Sequence, residues 1–277
     1  MKKKFRQIFF ILCTLLMTPV ILPLAHGASS VNVALGRDIY GDMDLWAAEG
    51  LIGSQLNSIR PFAASEIGQQ LVAAMDACHS MKTTQASCRK VRQHYATLFN
   101  ADISEAKSPR QANHFYIKPV EYFTVNYKYL SVPFSIYNNE GIDYGKGHNA
   151  SVQLQSHARL WSVFSFFIEP AFIFNQQFGS GEDESRLAFR LHKGYAKLNI
   201  YNIELLVGRD SIWWGPGYHG ALLMSNNAHP FDMIKLSNPE PVLLPWIFSL
   251  LGPVQFNLIF SQLNDQRQGS ELANPFL

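Results

Sequence analysis

Phe123-Thr124-Val125-Asn126-Tyr127-Lys128-Tyr129 alternates apolar with polar side chains at every step. Successive side chains of an extended chain point to opposite faces, so this stretch is a strand with one apolar and one polar side. The pattern recurs downstream. Val152, Leu154, Ala158 and Leu160 alternate with Gln153, Gln155, His157 and Arg159. Phe164, Phe166, Ile168, Phe172 and Phe174 share a face that only Pro170 interrupts. Leu187, Phe189 and Leu191 alternate with Ala188, Arg190 and His192. Ile203, Leu205 and Val207 make a shorter run, and Val254, Phe256, Leu258 and Phe260 alternate with Gln255, Asn257 and Ser261. Each run approaches the roughly 9–11 residues that a tilted membrane strand needs.

A soluble β-sandwich shows the same alternation, so the connections must decide. Residues 132–148 form a long link rich in Asn and Gly, whereas the join at Trp161-Ser162 is tight. Gly179-Ser180-Gly181-Glu182-Asp183-Glu184 is a polar loop, residues 199–202 are again tight, and residues 211–251 are long. Long and short links in strict alternation match an outer-membrane barrel, with short periplasmic turns and long outer loops. The expected fold is mainly β: an antiparallel transmembrane β-barrel over residues 113–277.

Upstream the period changes. Residues 28–112 read as helical, with Met43, Trp46, Ala47 and Leu51 at helix-like spacing and Ile67, Leu71, Val72 and Met75 on one face of a segment capped by Ser65. A third segment presents Cys88, Val91, Tyr95 and Leu98. Short amphipathic helices do not span a membrane, so this region is expected in the periplasm. Residues 1–27 read as a signal peptide: Lys2, Lys3, Lys4 and Arg6, an apolar run, then Ala25-His26-Gly27. Without that leader's four cations, 19 Lys+Arg face 21 Asp+Glu, a net charge of −2 that disfavours a nucleic-acid partner. Charged residues make up 16% and aromatics 13%, against about 25% charged in a soluble domain. The deficit predicts a surface that meets lipid rather than water.

Cys78 and Cys88 remain in the exported chain, and an even pair there suggests one short-range disulfide, two buried thiols being the alternative. Neither His79 nor His94 completes a four-ligand metal spacing with them. No G-x-S-x-G, H-E-x-x-H or phosphate loop is present. Glu204 and Asp210 share a strand face, but six residues of strand hold them about 20 Å apart, beyond the roughly 5–9.5 Å of glycoside hydrolysis.

Gly208-Arg209-Asp210-Ser211-Ile212-Trp213-Trp214-Gly215-Pro216-Gly217, then Leu222-Leu223-Met224-Ser225-Asn226-Asn227-Ala228 and Leu250-Leu251-Gly252-Pro253, form a distinctive set. With Arg60-Pro61-Phe62 ahead of a helix, they resemble the Wzi family of outer-membrane capsule-assembly proteins. The resemblance implies an outer-membrane barrel with a periplasmic helical bundle and a lectin-like role in attaching capsular polysaccharide to the cell surface. It implies contact with outer-membrane lipid and with capsule export machinery, and neither catalysis nor a cofactor. A porin-type channel is the alternative, motivated by the polar inward faces.

Candidate sugar contacts are Trp213, Trp214, Tyr218 and His219 around a Gly-Pro-Gly turn, with Asn226 and Asn227 as amide partners. Flat aromatic faces stack on sugar rings, and amides hydrogen-bond hydroxyls. The competing reading puts both tryptophans in an interfacial girdle or packs their loop into the barrel. Leu222-Leu223-Met224 and Pro245-Trp246-Ile247-Phe248 are too apolar for a solvated loop tip, and part of that loop is expected to fold inward and plug the lumen. Only six strands are counted by residue 263, fewer than the eight of a single-chain barrel. The barrel is therefore expected to be incomplete, the chain being a fragment, or to close from several chains.

Overall fold

The computed structural model describes residues 29–53, 59–80, 86–108, 115–178, 187–217 and 220–262. The expected leader, residues 1–27, the acidic Glu182-Asp183-Glu184 stretch and the chain end after residue 262 lie outside them.

Helices precede strands. The first helices are α1 (Ile39–Ala48) and α2 (Ala64–Ser80). Then comes α3 (Ala86–Lys90), continued by a π-helical turn over Val91–Tyr95, and finally α4 (Asn100–Lys107). Trp46, Ile67, Leu71, Ala74, Val91 and Tyr95 form their shared core. Their stripe recurs every three or four residues, so one face of each helix meets the others. Trp46 packs edge-on to Tyr95 with ring centroids 5.3 Å apart. A disulfide joins Cys78 to Cys88 and ties the end of α2 to α3. Gly68 is where α2 meets α4: a Cβ there would lie 2.8 Å from the Asp102 backbone.

A main sheet follows, with seven strands among the described residues: β1 (Phe115–Leu130), β2 (Gly147–Leu160), β3 (Phe164–Phe174), β4 (Leu187–Ile200), β5 (Ile203–Asp210), β6 (Phe231–Ser237) and β7 (Asn257–Ser261). Each pairs antiparallel with its sequence neighbour, giving one sheet in the order β7-β6-β5-β4-β3-β2-β1. Among the described residues the sheet is open at β1 and β7, consistent with an incomplete barrel. Phe123, Val125, Tyr127, Phe172, Phe189 and Phe260 are exposed on one side. His157, Arg159, Ser165, Tyr195, Lys197, Glu204 and Lys235 are buried on the other.

The sequence reading missed β6. It took residues 211–251 as one connection, yet Phe231–Ser237 pairs with both β5 and β7. Its pattern is mixed: Met233, Lys235 and Ser237 face the buried side, and Asp232 lies outward. A charge on the outward face cancels the alternation. Asp232 is accommodated near the strand end by Arg209, directly across the ladder, at 2.7 Å. The extra strand changes which end the last connection occupies. Residues 238–256 lie at the tight-turn end, where Asn202 and Glu240 exchange two hydrogen bonds of 2.7 and 3.0 Å. Trp246, Ile247 and Phe248 are exposed there rather than folded into a lumen, which corrects that expectation.

Pro170 has a local solution as well. The β3–β4 ladder shifts between Glu169 and Pro170, where Glu169 opposes Lys193 and Pro170 opposes Leu191. His192 is thus the extra residue of a bulge, which tolerates a residue without an N–H. Beyond it the buried set of β4 changes parity, to Lys193, Tyr195, Lys197 and Asn199.

The N-terminal region occupies the polar face of the sheet. Ser29 Oγ meets Ser165 Oγ at 2.8 Å, and Asn32 donates from its backbone to Tyr195 Oη (2.8 Å) and from its amide to Asp210 (2.7 Å). Ile59–Arg60 forms a short ladder with Trp213–Trp214. Arg159 reaches Glu105 of α4 at 2.5 Å. Ser165, Tyr195, Asp210 and Arg159 thus find protein partners, which offsets part of the desolvation cost that bare inward polar groups would carry.

Candidate functional site

The long connections meet at the end of the sheet opposite the tight turns. Residues 131–146, 211–217 and 220–230 supply its surface, and the two connections hold each other. Asn138-Asn139-Glu140-Gly141 turns sharply, with positive φ at Asn138 (57°), Glu140 (53°) and Gly141 (68°). A Cβ at Gly141 would lie 2.8 Å from the His229 nitrogen, so glycine permits the two loops to touch. Glu140 N donates to Asn226 O at 2.8 Å, Asn226 Nδ2 to Asn138 O at 3.3 Å, and Asn138 N to Asn227 Oδ1 at 2.5 Å.

Glu140 is the fulcrum. Its carboxylate takes hydrogen bonds from His192, Lys193 and Ser211, the last at 3.1 Å. Burial pushes the Glu140 pKa up, but the His192 hydrogen bond and the Lys193 charge outweigh it and hold the group at about 2. A pKa below its unfolded value contributes stability above the ordinary range near 4.5, and that stability is lost as pH falls through about 2. Amide-exchange protection of residues 131–146 is therefore expected to persist through pH 4 and to fall steeply towards pH 2. Glu140→Gln removes that dependence.

The candidate sugar residues fall into distinct places. Trp213 is buried, with its indole N–H donating to Gly217 O at 3.0 Å. Trp214 is half-buried, and its backbone pairs with Ile59 and bridges to Met224. Asn226 is buried in the loop brace, whereas Asn227 is exposed. Tyr218 and His219 lie outside the described residues. Tyr137, 89% exposed, stands one residue before the Asn138–Asn227 contact and was not singled out from sequence. A lone tyrosine in a polar loop carries no signal until its neighbour 90 positions later is known. Asn149-Ala150-Ser151 matches the Asn-x-Ser glycosylation pattern, but the Asn149 side chain is buried and bonded to Gly145 through both its oxygen (2.9 Å) and its nitrogen (2.7 Å).

Between the N-terminal region and the sheet lies a cavity of about 580 Å³. Arg37, Glu121, His157, Glu169 and Lys193 give it a mixed-charge wall. Among the described residues no cluster of three His, Cys, Asp or Glu side chains is placed to hold a metal.

An antiparallel meander with an apolar outer face and a polar inner face covered by its own N-terminal arm defines a protein of the outer-membrane β-barrel type. The family model for capsule assembly protein Wzi matches residues 131–277, just over half the chain, and the chain belongs to the Wzi family. A solved structure described as Wzi, an outer membrane protein involved in group 1 capsule assembly in Escherichia coli and a carbohydrate-binding β-barrel, is similar in fold. Its TM-score is 0.52 at 17% identity, over 85% of this chain and 46% of that one. An uncharacterized 55.8 kDa protein in the cps region of Klebsiella pneumoniae is 29% identical over 77 residues, 27% of this chain and 15% of that protein. The chain thus spans about half the length of the solved structure that it matches.

Proposed function

We propose that the protein is a lectin-like component of the outer membrane that retains capsular polysaccharide at the cell surface, with the helical region on the periplasmic side. The observation that carries this reading is the pair of cross-braced loops at the end of a sheet whose polar face is already covered by residues 29–53 and 59–60. Loops in that setting offer a binding surface rather than the mouth of a pore. Membership of a capsule-assembly family supports the same assignment, as does the carbohydrate binding stated for the Escherichia coli protein.

Tyr137 and Asn227 are the proposed direct contacts, together with Tyr218 and His219 of the same loop. Trp213, Trp214 and Asn226 shape the platform. The protein works by binding and does no catalysis; the capsule export machinery is a proposed partner. The test is titration of the purified full-length protein with capsular polysaccharide. Tyr137→Ala and Asn227→Ala are each expected to weaken binding by about 3- to 10-fold, the worth of one exposed stacking or hydrogen-bonding contact. Unchanged affinity in the double variant moves the site elsewhere. Stable ion conductance by the reconstituted protein would favour a channel instead.

A further inference from the structure

The connection between β6 and β7 has a property that polysaccharide binding does not use. From residue 241 to residue 264 the sequence holds no charged side chain. A two-rung ladder, Val242–Leu243 against Pro253–Val254, extends the β6–β7 hairpin beyond the sheet. Its tip is a 3₁₀-helix, Trp246–Leu251. Trp246 is 78% exposed, Ile247 72%, Leu250 88% and Leu251 70%. Exposed apolar clusters of this kind mark contact surfaces, since water solvates them poorly.

The position of the tip selects the partner. Residues 238–240 are fixed at the tight-turn end through Asn202 and through Gln69, whose amide lies 2.6 Å from Glu240. The two tight turns at that end carry Trp161 and Tyr201, exposed at 73% and 63%. An aromatic rim of this kind sits at the level of lipid headgroups. The outward apolar residues Ile234, Leu258 and Phe260 of the same hairpin lead from the sheet towards that rim.

We propose that the 246–251 tip is a membrane-docking element, which inserts its apolar side chains among the acyl chains just below the headgroups of the leaflet adjoining the tight-turn end. The absence of charge makes apolar burial, and not attraction to anionic lipid, the driving interaction. The element anchors the rim at the end where α2 attaches, while the loop end is left free for sugar. The inference rests on the membrane reading above and not on any sugar site.

The experiment uses the full-length protein reconstituted into phosphatidylcholine vesicles with acyl chains brominated near the headgroup. An environment-sensitive fluorophore is attached at Leu250→Cys or, in a separate variant, Ile247→Cys. Val125→Cys on the outward face of β1 reports membrane residence, and Asn227→Cys reports the aqueous loop end. The expected result is blue-shifted emission and at least about two-fold quenching at 250 and 247, as at 125, with little quenching at 227. Quenching at 125 with water-like, unquenched emission at both tip positions overturns the inference and leaves the barrel standing. Blue-shifted but unquenched tip emission also overturns it, because protein then covers the tip, either a second copy or another part of the chain. No quenching at 125 or at the tip sinks the membrane reading together with the inference. Polysaccharide affinity, measured separately, decides the sugar site in every case.

Discussion

Lys197→Met lowers unfolding free energy by about 3 kcal/mol, the lower end of the ~3–5 kcal/mol seen when one partner of a buried ion pair is removed. Lys197 Nζ lies 3.0 Å from Glu204 Oε2, with the two side chains 0% and 4% exposed. They sit on adjacent strands, near the turn at residues 201–202, under the N-terminus of α2. Glu66 of that helix faces the same pair. Burial, reinforced by the Glu204 carboxylate, pushes its pKa up to about 8, with Lys235 and Lys197 opposing. At neutral pH Glu66 is mostly protonated, so the ion pair under the helix is Lys197 with Glu204. Lys197→Met with Glu204→Leu is expected to recover most of the loss, since two apolar side chains need no partner. The measurement is the urea midpoint of the full-length protein in detergent, followed by the mobility of the folded band. A single variant as stable as the parent would mean that the pair is wet and that residues 29–66 do not cover the sheet.

Trp46→Ala carries the largest expected effect in the helical region, about 3–5 kcal/mol for deleting a fully buried aromatic. The indole packs between α1 and the π-turn, against Tyr95, whose hydroxyl donates to Asp42. Trp46→Phe is expected to cost much less. The buried Trp46 Nε1 has no hydrogen-bond partner, so phenylalanine removes an unsatisfied donor while keeping most of the apolar contact. Near-UV circular dichroism during thermal unfolding reads both variants. A loss under about 1 kcal/mol for the alanine variant would contradict the packing described.

Period-two alternation placed five of the seven strands close to their observed ladders and the sixth run on β7. The helical period placed most of the buried faces of α1, α2 and α3, with Leu98 exposed against expectation and Val72 and Met75 only partly buried, and the strand-forming residues after residue 114 separated the two regions. Those features are legible because they depend on neighbours within one turn or one pleat. Phe231–Ser237 was not legible, because its outward Asp232 is compensated by Arg209, 23 positions upstream. The bulge at His192 reversed the facing of half of β4, and only the partner strand reveals that shift.

The candidate site divides in the same way. The sequence by itself determined the membrane-barrel class, the change of period, the pairing potential of Cys78 with Cys88 and the loop end proposed here for sugar binding. The tertiary structure alone decided that residues 29–53 and 59–60 cover the polar face, that Trp213 and Asn226 are buried in the platform while Asn227 faces outward, and that Trp246 stands at the opposite end. The physical reason is range. Secondary structure follows from side-chain periodicity within a few residues, whereas the burial of Glu140 depends on His192 and Lys193, 52 and 53 positions away, which no local pattern encodes.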